Sequence, residues 1–300
     1  MFTYKNRNTF LQKLHPLVSI FIIFIYILSF IVVNNPLYLL LILLSLILLS
    51  HIDGSIKDLF KYGRLMLPFA ILIMILNPLL VRDGSTILYI GKIKFPVIGS
   101  IVITLESIMY GIFSGIKVIC ITLAFGFGNL IIHPDRSFGF FSKYLKKSSL
   151  LMSMIVTMFP NMMKSYENIR EIEKLRGNIL VDKKMKNTIK NGGNIVNILF
   201  LSSLEDSLDI AESMYSRGYG SCKKRSAYFV ERFELKDKIL IIILIGLFIE
   251  LIVLGYKEIF NMSFYPRVDN PYKILSIKGI IFCTLLFIPS IINWWWKNWK

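Results

Sequence analysis

Histidine and cysteine are scarce in this chain of 300 residues, three of each, and charged residues make up only 18% of it. Cys120, Cys222 and Cys283 form no CxxC pair, and two of them lie inside apolar stretches, which excludes a disulfide framework or a zinc site as the organising device. His15, His51 and His133 are scattered at the ends of apolar runs and form no H-E-x-x-H pattern. The chain also lacks G-x-S-x-G and the phosphate-cradling G-x-x-x-x-G-K-[ST] loop, so it carries neither a nucleophile elbow nor its own ATP-hydrolysing site. No catalytic residue, cofactor or metal is expected. After the polar N-terminus "MFTYKNRNTFLQKLHP" no small-residue cleavage site follows the first apolar run, so that run is read as a retained span rather than a removed signal.

What the chain has instead is apolar surface. A hydrophobic content of 55% with positive mean hydropathy places it among polytopic membrane proteins. The formal net charge of +16 is explained by Lys and Arg beside apolar runs, where they set orientation and meet anionic lipid; no nucleic-acid partner is expected. A helix needs about 20 apolar residues to cross the hydrocarbon, and six runs of that order occur, at about 17–33, 36–50, 65–81, 104–131, 238–255 and 277–296. The expected class is therefore an all-α polytopic membrane protein, with an N-terminal bundle over 1–132, a cytoplasmic region over 133–237 and C-terminal transmembrane helices over 238–300.

Asn34-Asn35 joins the first two runs as a helical hairpin, and "STILYIGKIKFPVIGSIVIT" between the third and fourth reads as an external β-hairpin. Basic residues precede the first span and follow the second at Lys57, Lys61 and Arg64, which predicts a cytoplasmic N-terminus. The terminal "NWWWKNWK" reads as an interfacial aromatic belt on the same side. Glu106 falls in the first turn of the fourth span, at the positive end of the helix dipole, and Gly111-x-x-x-Gly115 permits close helix packing there. Lys117 and Glu250 are the two ionisable residues well inside spans. Lys117 is expected to face the bundle interior or another subunit, in a structural rather than a transport role.

Region 133–237 holds more than half of the basic residues and no run long enough to cross. Two amphipathic helices are legible in it. Met162, Tyr166, Ile169, Ile172 and Leu175 recur at spacings of three and four, as do Leu201, Leu204, Leu208, Ala211 and Tyr215, with charged residues on the other faces. The first helix ends in Leu175-Arg176-Gly177 and the second in Ser216-Arg217-Gly218. Gly after a helix and Arg in its last turn are ordinary capping chemistry. The repetition also fits a pair of docking tips, apolar anchors lying in a partner's groove and a guanidinium fixing the register. Periodicity leaves both readings open.

Several motifs taken together carry a resemblance: "HP" before the first span, Asn35-Pro36, "ITLESIMYGIFSGIK" from Ile103, "HPD" at 133, "MFP" at 158 before the first Arg-Gly helix, and "SSLEDSLDIAESMYSRGYG" from Ser202. Over about residues 14 to 255 the chain resembles the transmembrane T component of energy-coupling factor transporters, the family that includes cobalt-transport permease proteins. The resemblance implies that the two long cytoplasmic helices are coupling helices, each docking on one of two ATP-binding-cassette ATPases, identical or homologous, through Leu175, Arg176 and Gly177 and through Ser216, Arg217 and Gly218. The usual motif in that family is Ala-Arg-Gly, and this sequence departs from it at the first position of both. The resemblance further implies a separate substrate-binding integral membrane subunit, import of a vitamin or transition-metal ion, a prokaryotic cell membrane and a non-catalytic subunit. The alternatives are the permease of a conventional ATP-binding-cassette importer, which would present one principal coupling helix, and a stand-alone secondary transporter or channel, which would want more ionisable residues within its spans.

Overall fold

The computed structural model describes residues 7, 9–81, 83–95, 99–133, 136–137, 140, 147–176, 185–221, 233–270 and 275–298. The chain divides into two compact units, one formed by Met1–Pro134 with Arg232–Lys300 and the other by Asp135–Glu231.

In the first unit a short helix α1 (Phe10–Lys13) leads into α2 (Pro16–Val32), α3 (Pro36–Asp53) and α4 (Ile56–Leu80). The strands β1 (Ile87–Phe95) and β2 (Gly99–Thr104) follow, then α5 (Leu105–Ile131). The unit is completed by α8 (Leu235–Tyr256), α9 (Ile277–Leu285) and α10 (Ile288–Asn298). Four stretches are long and apolar enough to cross a membrane by themselves, α3, α4, α5 and α8, and residues 277–297 taken as one make a fifth. Helix α2 is equally apolar but 17 residues long. The protein is thus a mostly helical, multi-pass membrane protein.

The helix starts are written in the sequence. His15 Nδ1 accepts from the Leu17 N–H at 3.3 Å and Asn35 Oδ1 from the Leu37 N–H at 3.0 Å, and in both helices proline takes the first position, where its missing N–H costs nothing. "HP" and "NP" are therefore one device used twice. Helix α5 begins with a reciprocal box between Thr104 and Ser107, and α8 with one between Glu234 and Asp237. Asp237, 5% exposed, also accepts from the His15 N–H at 3.1 Å, so one carboxylate fixes the entry of both α2 and α8.

Strands β1 and β2 pair antiparallel, with Ile87 opposite Thr104 and Phe95 opposite Gly99. An all-α class therefore omits one element, the hairpin that the Gly and Pro breaks signal. The Glu106 carboxylate ties the hairpin to α5, accepting from Ser85 Oγ at 3.1 Å, Thr86 N at 3.2 Å and Thr86 Oγ1 at 2.7 Å. The Ser85 N–H reaches Pro266 O at 3.0 Å, so the hairpin and the α8–α9 loop share one end of the bundle.

Two span boundaries differ from the sequence expectation. Helix α4 starts at Ile56 rather than near 65, because its first turns carry Lys57, Asp58, Lys61 and Arg64, which hydropathy counts against a span but helix geometry does not. At that end Arg7 Nη2 bonds Asp58 Oδ2 at 2.5 Å, and Lys61 Nζ bonds Asp58 Oδ1 at 2.7 Å. The expected span 277–296 is two helices broken at Leu286 and Phe287. Pro289, lacking an N–H and crowding the preceding turn, accounts for the break. The Leu286 carbonyl at the break is satisfied by Tyr26 Oη at 3.0 Å and Ser45 Oγ at 2.9 Å, deep in the core.

Around this point the core is continuous. Val18, Ile25, Phe30, Tyr38, Ile42, Leu46, Leu49 and Phe127 are fully buried. Helix α5 packs against α4 through glycines: a β-carbon at Gly115 would lie 2.6 Å from Met74 Cγ and 3.1 Å from Ala70 O, and one at Gly111 would lie 3.1 Å from Met74 O. The Gly-x-x-x-Gly spacing therefore marks a real helix–helix seam.

Candidate functional site

The second unit contains helices α6 (Lys147–Leu175) and α7 (Met185–Ser216), which touch each other. Their apolar stripes are not used up in doing so. In α6 Ile172 is exposed and Leu175 is 89% exposed; in α7 Leu201, Leu204, Leu208 and Tyr215 are exposed, the last at 84%. Each stripe runs out to the arginine that ends its helix. A charged helix face in water is ordinary, whereas an apolar stripe left open along several turns is an uncommon surface.

The two tips are built differently. At the end of α7, Gly218 has φ +74, its N–H bonds Tyr215 O at 2.9 Å, and the Tyr219 N–H bonds Met214 O at 3.0 Å. This pair of bonds is a Schellman cap, which needs the left-handed conformation that glycine adopts cheaply. The same pair closes α3, with Gly54 at φ +74, Gly54 N on His51 O and Ser55 N on Ser50 O. The α7 cap is complete without the Arg217 side chain, for which no hydrogen bond or ion pair occurs among the described residues. Ser216 Oγ donates to Ser213 O at 3.0 Å, so that position shows a small, satisfied side chain.

At the end of α6, Arg176 Nη1 lies 3.3 Å from Glu173 Oε1. The carboxylate side is buried (7% of the side chain exposed) and the guanidinium side is 67% exposed, so Glu173 steadies the base of Arg176 while leaving most of its fork open. Glu173 did not stand out in the sequence, where it reads as one more charge on a solvated face; its spacing of three from Arg176 was the available signal. Gly177 lies outside the described residues, as do Cys222 and the Lys223-Lys224-Arg225 run.

The intramembrane cation has a structural explanation. Lys117 Nζ donates to Ile31 O and to Asn34 Oδ1, both at 2.8 Å, capping the carbonyl end of α2. Asn34 in turn donates through Nδ2 to Asn261 Oδ1 at 2.9 Å and through its backbone N–H to Phe260 O at 3.1 Å. One ammonium thus joins α5 to the α2–α3 turn and, through Asn34, to the α8–α9 loop. Lys117→Met is expected to cost about 2 kcal/mol, since hydrogen bonds to a charged group contribute roughly 1.5–3 kcal/mol each and water replaces part of them at a half-buried site. A lowered thermal midpoint in detergent, with transport per folded molecule retained, is the expected pattern. Lost transport at an unchanged midpoint would contradict it.

Among the described residues no group of three His, Cys, Asp or Glu side chains could hold a metal ion. Cys120 and Cys283 are free and buried.

Residues 7–228 match the family described as cobalt transport protein (CbiQ). The chain is 22% identical over 267 residues to the energy-coupling factor transporter transmembrane protein EcfT of Staphylococcus aureus (strain 04-02981), covering 85% of this chain and 97% of that one. It is 25% identical over 257 residues to the protein of the same name from Streptococcus equi subsp. equi (strain 4047), covering 82% and 93%.

Proposed function

The chain belongs to the cobalt transport protein family as a transmembrane T component of energy-coupling factor transporters, and from that premise we propose that α6 and α7 are its coupling helices, each seated on one ATPase of a pair. In this reading Leu175, Arg176 and Gly177 form one docking tip and Ser216, Arg217 and Gly218 the other. Six spans cross a prokaryotic cell membrane, α2, α3, α4, α5, α8 and the broken α9–α10 stretch, with both termini and the 133–237 region in the cytoplasm. The chain itself performs no catalysis. Closure of the two ATPases on ATP moves the two helices relative to each other, and that motion reorients a separate substrate-binding membrane subunit, which releases a vitamin or transition-metal ion inside.

The single observation that carries this reading is the pair of apolar stripes left exposed up to their arginine tips. Transmission requires each helix to hold its ATPase while the angle between the helices changes, a task suited to rigid helices anchored at their ends. The non-equivalent first positions, exposed Leu175 against compact Ser216, favour two grooves of different shape.

Weighing what travels with the protein when it is extracted from its native membrane tests the assignment. Two ATPases and one small hydrophobic protein per chain is the expected composition. A homodimer of this chain with ATPases would instead indicate a conventional importer, and the chain alone would indicate a self-contained transporter.

A further inference from the structure

A groove of about 320 Å³ lies between α8 and α9. Its wall on α8 is a single helix face, Gly246, Glu250, Val253 and Lys257, at spacings of four, three and four; Lys278 and Ile281 face it from α9. Lys257 lies just past the end of α8 and Lys278 in the first turn of α9, so both cations are at the rim of the bundle. Glu250 sits seven residues further in, about 10 Å along the helix. Below it Gly246 opens the groove, since a β-carbon there would meet nothing within 4 Å.

These three ionisable side chains share one cavity without forming an ion pair among themselves or with another described residue. A carboxyl group held inside a span, with two ammonium groups above it and an apolar channel beneath, is costly unless something fills the space between them. The order from rim to interior is two cations, one carboxyl group, then apolar wall. A phospholipid presents the complementary order: phosphate, then ester and glycerol oxygens, then acyl chain. Lysine is a natural point-charge partner for phosphate, and the Glu250 carboxyl group, when it carries its proton, supplies the one O–H that an ester carbonyl can accept.

We propose that this groove holds one anionic phospholipid, its phosphate between Lys257 and Lys278, its ester region beside Glu250 and an acyl chain along Val253, Ile281 and Gly246. The lipid joins α8 to α9 at a place where their side chains leave a gap. The site belongs to the chain itself and stands whether or not α6 and α7 dock ATPases.

The test uses the full chain in detergent, stripped of lipid and titrated with phosphatidylglycerol, phosphatidylcholine or inorganic phosphate, with bound mass read by native mass spectrometry. The expected result is one phosphatidylglycerol per chain, held more tightly than phosphatidylcholine and not displaced by equimolar inorganic phosphate. Lys257→Gln with Lys278→Gln is expected to weaken it about 30-fold, each exposed lysine–phosphate contact being good for roughly five-fold. Gly246→Leu, which has room for its side chain, is expected to expel the acyl chain and weaken binding as well. Unchanged affinity in either variant would overturn the site. Displacement by inorganic phosphate would make it an ion site, and a membrane protein lost from the native complex in the lysine variant, with lipid binding intact, would make the groove a protein contact.

Discussion

Arg176→Glu combined with Arg217→Glu is expected to abolish association with ATPases, and with it substrate uptake, while the protein still inserts and folds. Truncating an arginine at the centre of an interface commonly costs about 2 to 4 kcal/mol, or roughly 30- to 1,000-fold in affinity, and reversal of charge adds repulsion to that loss. Two such tips acting together take a tight complex out of reach at cellular concentrations. Folding is expected to survive for reasons visible at each tip. The Schellman bonds of Gly218 and Tyr219 close α7 without the Arg217 side chain, and most of the Arg176 guanidinium is exposed. The comparison with Arg176→Lys and Arg217→Lys is informative, because lysine keeps the charge but loses the planar fork, and a partial loss is expected there. The measurement is the amount of ATPase recovered per mole of tagged chain. Recovery equal to the unaltered protein would sink the docking assignment, and a change in the chain's own thermal midpoint would mean that the arginines serve the fold instead.

The second large effect concerns the α4–α5 seam. Gly115→Val is expected to lower the yield of monodisperse protein and its thermal midpoint sharply, and Gly111→Val to do so as well. A β-carbon at Gly115 would stand 2.6 Å from both Met74 Cγ and Met74 Cε, and 3.1 Å from a backbone oxygen that cannot move aside without shifting α4. Overpacking of this kind costs about 1–3 kcal/mol per site. In a membrane it also removes the close backbone approach that substitutes for a hydrophobic driving force between helices. Gly193→Ala is the matched control: it lies in a helix with nothing within 4 Å of its β-carbon and is expected to leave the midpoint unchanged or slightly raised. Fluorescence-detected size exclusion after heating separates these outcomes. If Gly115→Val behaves like Gly193→Ala, the two helices do not meet along this seam.

Docking depends on surface that the fold leaves unspent, and the seam depends on surface that the fold consumes. Glycine shows the distinction within one residue type, because Gly115 is there for the absence of a side chain and Gly218 for a left-handed backbone.

Much of this architecture was legible before any coordinate. Asn34-Asn35 marks the turn between α2 and α3, Thr104 marks the start of α5, and the breaks in "STILYIGKIKFPVIGSIVIT" mark the hairpin. Each signal is local, acting over a few residues of backbone, so a single chain displays it. The start of α4 lies ahead of its apolar run because hydropathy and helix formation are different properties, and Lys57, Asp58 and Lys61 satisfy only the second. The interruption of the last span is not visible in hydropathy, because Pro289 sits within an apolar run and hydropathy does not register the backbone hydrogen bond that proline removes. The candidate site was half legible: both arginines and their stripes stood out, whereas Glu173 did not.

Sequence alone thus determined that the chain crosses a membrane several times, where some of its helices begin, and that two amphipathic helices end in Arg-Gly, since apolar length, capping and helical period are properties of neighbouring residues. Tertiary structure decided which groups satisfy one another. Lys117 meets the carbonyl of Ile31, 86 positions away, and Tyr26 meets the carbonyl of Leu286, 260 positions away. No periodicity encodes such distances. A buried polar group takes whichever partner the packing brings within hydrogen-bond reach, and packing is settled only when all the helices are in place.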